Sequence, residues 1–347
     1  MPPVIVLLQR NTNRNVLEDD LKKLARVFLS TIGLLVAADA YAGQTLKIGH
    51  VLPAKSQFSE AIRVMNEELQ KRTAGAYTIE EYPASALGSG KAMLDGVKLG
   101  TIDMVMSSSG GALAQFNPEV GILDLMLLFR DEAHADAVLD GPIGAALLET
   151  FKAQDTVGLA WGENGFRHLT NSVRPVKVPA DLKGLKIRLS ESDIYKKAFQ
   201  TLGAEPFALP FAQLYPALQN GQADGQENPI TTMVGSKLQE VQKHITLSYH
   251  TYAPAAILIN KDLFSELPPD HQAAFVEAAK AGAKASRDYV RKQDADGLAT
   301  LKTSSIQITP NSDFDRTAFE AALKPFYDEY AKQFTMEKIT AIKNVKP

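Results

Sequence analysis

The chain has 347 residues, of which 45% are hydrophobic and 22% charged, and its formal net charge is −3. This length suits two domains, the composition is that of an ordinary globular protein, and the weak, interspersed charge argues against nucleic acid as a partner. The absence of cysteine excludes thiol nucleophiles, disulfides and thiolate metal sites, and the six histidines never lie three or four residues apart, so we expect no metal and no cofactor.

The N-terminal segment carries the pattern of a secretory signal. A basic segment, 22–26, precedes an apolar stretch, 27–38, and the small-residue site Ala-Tyr-Ala follows at 40–42. The apolar stretch is shorter than the ~20 residues that a membrane span needs. We therefore predict a cleaved signal peptide over 1–42 and a periplasmic mature protein. Because the signal pattern begins only near Leu21, we expect the true translation start to lie there. An N-terminal helix of the folded domain is the alternative.

The first part of the mature chain alternates between strand and helix patterns. Alternating or apolar runs predict strands at 45–51, 77–82 and 102–106, and helical spacing of apolar residues predicts helices over 56–75 and 91–99. This succession predicts a mainly parallel sheet covered by helices.

The pattern restarts in the second half of the chain. Strands are predicted at 156–161 and 186–189, helices over 194–202 and 213–220, and a strand at 255–260 that returns to the first sheet. Two such blocks, separated by a turn-rich region, predict two lobes.

A long helix is predicted from Pro268 to about Thr303, with a bend at Gly282, and it is long enough to bridge both lobes. No glycine- or serine-rich linker separates the lobes, so we expect short crossings that act as a hinge. The predicted units are a first lobe of 43–165 plus about 254–290, a second lobe of 166–253 plus about 291–335, and a C-terminal tail, 336–347.

Two arginines and a polar loop are the candidates for binding chemistry. Arg167 follows the strand that is predicted to end at Trp161, Arg188 ends a short apolar strand, and 224–229 is predicted as a polar loop. Open α/β sheets bind ligands at the carboxyl ends of their strands, and a guanidinium matches a carboxylate with two parallel hydrogen bonds. A structural ion pair is the alternative for each arginine.

Seven motifs follow one another between residues 164 and 269. In chain order they are Asn164-Gly165-Phe166-Arg167, Leu182-Lys183-Gly184-Leu185-Lys186-Ile187-Arg188, Leu202-Gly203-Ala204, Leu214-Tyr215-Pro216-Ala217-Leu218-Gln219, Asp224-Gly225-Gln226-Glu227-Asn228-Pro229, Glu240-Val241-Gln242-Lys243-His244 and Leu267-Pro268-Pro269. Their order resembles that of a known family, the substrate-binding proteins of tripartite ATP-independent periplasmic (TRAP) transporters, in their dicarboxylate-receptor-like (DctP-like) branch. The resemblance covers 45–335.

The resemblance implies an α/β fold of the periplasmic-binding-protein type, with a ligand cleft between two lobes and a long helix spanning both. Arg188 matches the family's selectivity arginine, which holds the ligand carboxylate, and Arg167 matches a second arginine near it. Asn228 matches an asparagine that hydrogen-bonds the ligand, Phe211 matches an aromatic residue of the cleft, and Ser107–Ser109 are placed at the cleft wall.

The remaining candidates concern the nature of the ligand. The polar run that begins with Ser190 and Glu191 suggests a hydroxylated ligand, whereas Phe166 and Phe211 suit an aromatic or hydroxy acid equally well. Glu163 and Glu227 are also candidates for a pair of catalytic carboxylates. The alternative is that each carboxylate is solvated or forms hydrogen bonds at the hinge. The full candidate set for ligand binding is Arg188, Arg167, Asn228, Phe211, Phe166, Glu227, Ser190 and Ser108.

These features predict a monomeric receptor for a small organic acid anion (a sugar acid, a hydroxy acid or a C4-type carboxylate) that delivers its ligand to the membrane subunits of a TRAP permease. A sensor subunit with the same fold is one alternative. An α/β hydrolase or lyase is another, although the chain has neither a G-x-S-x-G elbow nor an HExxH motif. We therefore expect no enzymatic activity.

Overall fold

A computed structural model describes residues 43–347, so the predicted signal peptide lies outside the described residues. Its strands join in one nine-stranded sheet. The strands are β1 (Gln44–Gly49), β2 (Tyr77–Tyr82), β3 (Met104–Ser108), β4 (Thr156–Asn171), β5 (Lys186–Leu189), β6 (Glu205–Ala208), β7 (Gly225–Asn228), β8 (His244–Asn260) and β9 (Gln307–Thr309).

Helices cover both faces of this sheet, and irregular helical turns fill 109–124. The helices of six residues or more are α1 (Gln57–Arg72), α2 (Gly90–Lys98), α3 (Glu132–Leu139), α4 (Pro142–Glu149), α5 (Asp193–Thr201), α6 (Leu214–Gln219), α7 (Ile230–Gly235), α8 (Lys261–Glu266), α9 (Pro269–Thr303), α10 (Arg316–Ala322), α11 (Lys324–Phe334) and α12 (Met336–Asn344). Within residues 43–347, no helix combines the length and the apolar character needed to cross a membrane.

The sheet has two halves joined by two long strands. The strand order is β2-β1-β3-β8-β4-β7-β5-β6, with β9 beside β8. The strands β4 and β8 run antiparallel to each other along most of their lengths, and the C-terminal part of β8 pairs with β3 while its N-terminal part pairs with β9. We call the half with β1, β2 and β3 the first lobe and the half with β5, β6, β7 and β9 the second lobe.

The pairing of β4 with β8 is interrupted by three register shifts. Two of them lie between Glu163 and Gly165 and between Arg167 and Leu169. A bulge leaves one residue unpaired and bends the strand that carries it. These two irregularities lie between the part of β4 opposite the β3-paired end of β8 and the part that pairs with β7.

Helix α9 contacts both lobes along its length. Phe275 and Ala279 lie in the core of the first lobe, and Leu301 lies in the core of the second. The helix is continuous, so the bend predicted at Gly282 does not interrupt it. Instead, a Cβ atom on Gly282 would lie 2.4 Å from the carbonyl oxygen of Ala61, so the glycine permits close packing of α9 on α1.

Three segments differ from the sequence-based expectations. Strand β4 extends to Asn171 rather than ending at Trp161, strand β8 begins at His244 rather than 255, and the expected loop at 224–229 contains strand β7. The central parts of these strands carry buried polar side chains that bond to one another, so the hydrophobic alternation typical of a strand is missing there. Residues 336–344, expected within a tail, form α12 with Ile339 and Ile342 buried.

Candidate ligand-binding site

A cavity lies between the two lobes, with about 570 Å³ of empty space that is partly open to solvent. The first lobe contributes the end of β3 and the start of α2, and the second lobe contributes β5, the loop after it and the end of β7. Six of the residues predicted from sequence line this cavity: Ser108, Arg167, Arg188, Ser190, Phe211 and Asn228.

Hydrogen bonds connect the lobes around the cavity. The amide of Gln57 on α1 donates to Asn164 Oδ1 at 2.8 Å and to Thr232 Oγ1 on α7 at 3.3 Å. The hydroxyl of Ser190, after β5, donates to the carbonyl oxygen of Gly110 in the first lobe. These contacts place the two lobes in a closed arrangement over the cavity.

Arg188 is a buried cation that faces the cavity. Its side chain is 1% exposed, and its guanidinium donates from Nε and Nη2 to the carbonyl oxygen of Leu209, at 2.9 and 2.5 Å. Among residues 43–347 no carboxylate lies within ion-pair distance of it. Burial lowers its pKa to about 10, against the favourable charge of Glu227. A buried guanidinium without a carboxylate partner is suited to binding an anion, because pairing offsets its desolvation.

Arg167 is buried as well, but its charge is already paired. It donates to both carboxylate oxygens of Glu227, with Nη2 2.8 Å from Oε1, and Nη2 also lies 2.7 Å from the Glu227 carbonyl oxygen. Burial acts to lower the pKa of Arg167, but the charge of Glu227 outweighs it and raises that pKa. Arg167 is therefore held rigidly at the cavity wall.

Glu227 is paired with Arg167 and does not line the cavity. Burial acts to raise its pKa, but Arg167 and a hydrogen bond from His250 together lower it. His250 Nε2 lies 3.4 Å from Glu227 Oε2, and burial lowers the pKa of His250. The three side chains form a buried ionic group behind the ligand space.

Asn228 links this ionic group to the cavity. Its Oδ1 accepts from Arg167 Nη2 at 3.2 Å, its Nδ2 donates to Gln226 Oε1 at 2.5 Å, and its side chain lines the cavity. Phe211 lies in the turn Phe211–Gln213 and packs against the cores of both lobes. Its ring therefore forms an apolar wall of the cavity.

Phe166 does not line the cavity. Its ring centre lies 5.1 Å from that of Tyr252 and 5.7 Å from that of Tyr249. Successive side chains of a strand point to opposite faces, so Phe166 points away from the face on which its neighbour Arg167 meets the cavity.

Glu163 and Glu227 are each held by a different arginine, and neither lines the cavity. Glu163 Oε2 lies 3.1 Å from Arg291 Nη2, and burial raises the pKa of Glu163 to about 8. The arrangement offers no position for a substrate between a catalytic acid and a base.

Sequence reasoning missed Asn164 and Asp124. Asn164 lines the cavity beside Arg167 and Arg188, and its place in the Asn-Gly-Phe-Arg motif was the signal available. Asp124 is fully buried at the end of the turns that fill 109–124, and it accepts a hydrogen bond of 2.8 Å from Ser192 Oγ, after β5. Burial raises the pKa of Asp124 to about 7, in spite of the hydrogen bond from Ser192.

Comparisons with known proteins identify a family and close relatives in sequence. A family model described as bacterial extracellular solute-binding protein, family 7, matches residues 48–333. A solute-binding protein of Verminephrobacter eiseniae is 42% identical over 309 residues, which are 89% of this chain and 91% of that protein. The 2,3-diketo-L-gulonate-binding periplasmic protein of Escherichia coli is 38% identical over 287 residues, or 83% and 87% of the two chains.

A solved structure gives the same result for the fold. The crystal structure of a TRAP periplasmic solute-binding protein from Polaromonas sp. JS666, bound to D-erythronate, matches with a TM-score of 0.85 and 39% identity. The match covers 88% of this chain and 99% of that chain.

Proposed function

This chain belongs to the bacterial extracellular solute-binding proteins of family 7, and from that premise we propose that it holds a small organic acid anion between its lobes through Arg188. The family membership confirms the resemblance drawn from the sequence motifs and the two-lobed fold predicted with it. Members of this family are solute receptors of transporters, so the protein is a receptor rather than an enzyme.

The observation that carries the proposal is the contrast between the two arginines of the cavity. Arg167 is neutralised by Glu227, whereas the guanidinium of Arg188 bonds only to a carbonyl oxygen among the described residues. A ligand carboxylate would supply the missing negative charge to a guanidinium that is itself buried, and such a pair is stronger there than in bulk water.

The ligands of two relatives support a hydroxylated acid. The Polaromonas protein binds D-erythronate and the Escherichia coli protein is named for 2,3-diketo-L-gulonate. Both ligands combine one carboxylate with oxygen-bearing carbons. The serine hydroxyls and asparagine amides around Arg188 are suitable hydrogen-bond partners for the oxygen atoms on such carbons.

The mechanism follows from the position of the cavity between the lobes. A ligand stabilises the closed form only through contacts that the open form lacks, so it must touch both lobes. Arg188 and Asn228 of the second lobe and Ser108 of the first are placed to do so. The exported protein, from which 1–42 has been cleaved, would act as a monomer. Its closed, loaded form would then deliver the anion to the TRAP permease.

The experiment is a thermal-unfolding screen of the exported protein, unfolded and refolded to remove bound ligand, against organic acids that include D-erythronate, D-galacturonate, pantoate and succinate. A ligand at about 1,000 times its Kd adds about 4 kcal/mol of stability. We expect strong stabilisation by at least one acid, and recovery of that acid unchanged. A flat response to every acid would contradict the proposal.

A further inference from the structure

Glu191 is an acidic side chain in the wall of the same cavity. It follows Arg188 by three residues, in the loop after β5, and it lines the cavity together with Arg188 and Ser190. It is partly buried, and no hydrogen bond or ion pair joins its side chain to any residue of 43–347. Its carboxylate therefore has free acceptor capacity at the edge of the ligand space.

The carboxylate reaches across to the first lobe. Glu191 Oε2 lies 3.9 Å from the position that a Cβ atom would take on Gly90, the first residue of α2. A side chain at that position would also contact Ala112 and Val51, which line the cavity. Closure of the lobes thus brings Glu191 over the ligand space, and Gly90 leaves room for it.

The charges of the lining residues then define what fits. Arg167 is paired with Glu227, so the lining charges without an ion-pair partner among the described residues are the cation of Arg188, which bonds to the Leu209 carbonyl oxygen, and the anion of Glu191. A ligand with one carboxylate and several hydroxyls can satisfy both, since a hydroxyl donates to a carboxylate. A ligand with a second carboxylate would bring a like charge towards Glu191, and the repulsion is stronger in a partly buried cavity than in bulk water.

Resting on the proposed function, we infer that Glu191 makes this receptor selective for polyhydroxy monocarboxylates over dicarboxylates. It accepts hydrogen bonds from the ligand hydroxyls, and its negative charge repels a second carboxylate in the same cavity. Ser107, Ser108 and Asn164 contribute polar contacts of either kind, so the discrimination against a second charge depends on Glu191.

Three four-carbon acids separate the two effects. Butyrate has neither hydroxyls nor a second carboxylate, D-erythronate adds hydroxyls, and succinate adds a carboxylate. With the wild-type protein, calorimetric titration should give D-erythronate the highest affinity, and succinate should bind no better than butyrate. A wild-type protein that binds succinate more tightly than D-erythronate would overturn the inference.

The variant test is Glu191→Gln, which removes the charge and keeps the shape. We expect the ratio of D-erythronate to succinate affinity to fall by about tenfold or more, because a charged hydrogen bond is lost and a repulsion is removed. The matched control is Glu205→Gln, an exposed acid of β6 in the same lobe, which should leave the ratio unchanged.

The outcomes distinguish this inference from the proposed function. If Glu191→Gln binds both acids with the wild-type ratio, the selectivity role is wrong while the receptor for carboxylates stands. If the wild-type protein binds none of the organic acids in the thermal screen, the proposed function itself fails. The four-carbon series on the wild-type protein tests the inference without depending on the folding of any variant.

Discussion

Arg167 on β4 and Glu227 on β7 share a two-point ion pair at the boundary of the ligand cavity, with Nη2 2.8 Å from Oε1. Both side chains are almost fully buried, at 3% and 0% exposure. The pair leaves Arg188, the other buried arginine of the cavity, as the cation without a carboxylate partner among the described residues. The difference between the two arginines leads to the first two predictions.

Replacing Arg188 should abolish tight binding without unfolding the protein. We expect Arg188→Met to weaken binding of the best carboxylate ligand by about tenfold or more, since a charged hydrogen bond contributes about 1.5–3 kcal/mol. The ligand-free variant should be at least as stable as the wild type, because a buried cation without a carboxylate partner is removed. Calorimetric titration and chemical denaturation measure the two effects. Wild-type affinity in the variant would remove Arg188 from the site.

Replacing Glu227 should have the opposite effect on stability. Glu227→Gln leaves the buried Arg167 without its counter-charge, and breaking a buried ion pair on one side costs on the order of 3–5 kcal/mol. Denaturant unfolding of the ligand-free protein measures this loss. The double variant Arg167→Met with Glu227→Gln should recover part of it, and a double variant that is less stable than Glu227→Gln alone would contradict the pairing.

Asp124 should give the protein a pH-dependent stability. Burial raises its pKa to about 7 in the folded protein, well above the usual aspartate value of about 4, so between these pH values the folded protein holds a proton that the unfolded chain has released. The contribution of Asp124 is fully present below pH ~4 and is lost as the pH rises towards ~7, by up to about 4 kcal/mol.

Asp124→Asn removes this titration while keeping an oxygen that accepts from Ser192. We therefore expect the unfolding free energy of the wild type, relative to Asp124→Asn, to decrease between pH 4 and pH 7. Denaturant unfolding of both ligand-free proteins at several pH values measures it, and the difference cancels the titration of the other buried acids. A difference that does not change with pH would show that Asp124 ionises normally.

The close packing of α9 on α1 should make Gly282 intolerant of a side chain. A Cβ atom there would lie 2.4 Å from the Ala61 carbonyl oxygen, so Gly282→Ala should cost about 1–3 kcal/mol of stability in spite of alanine's higher helix propensity. Gly235→Ala is the control, since nothing lies within 4 Å of its Cβ position and it too is in a helix. Equal effects in denaturant unfolding would refute the packing argument.

Local sequence patterns were sufficient for much of the fold. Helix α1 was predicted because Phe58, Ile62, Met65 and Leu69 repeat at helical spacing, and all four are buried. The long helix α9 and the short strand β5 were likewise predicted close to their observed bounds. These elements each have one apolar face or a compact apolar run, so their burial can be read from neighbouring residues alone.

The central strands were predicted poorly for a physical reason. Strand β4 between Trp161 and Asn171 carries Glu163, Arg167 and His168 as buried residues, and each depends on partners distant in sequence. A polar segment is predicted as a loop as long as the residues that bond to its polar side chains are unknown. The boundaries of the two lobes, which depend on where these strands cross, stay a prediction.

For the site, the sequence determined which residue types are available, and its family motifs identified Arg188, Arg167, Asn228 and Phe211 as candidates. The tertiary structure decided their roles. It placed Glu227 against Arg167, turned Phe166 into the core, and left Arg188 and Glu191 facing the cavity. Whether one of these charges is free or paired depends on contacts across more than fifty residues of chain. Arg167 and Glu227, for example, lie sixty positions apart in the sequence, so no local pattern encodes their pairing.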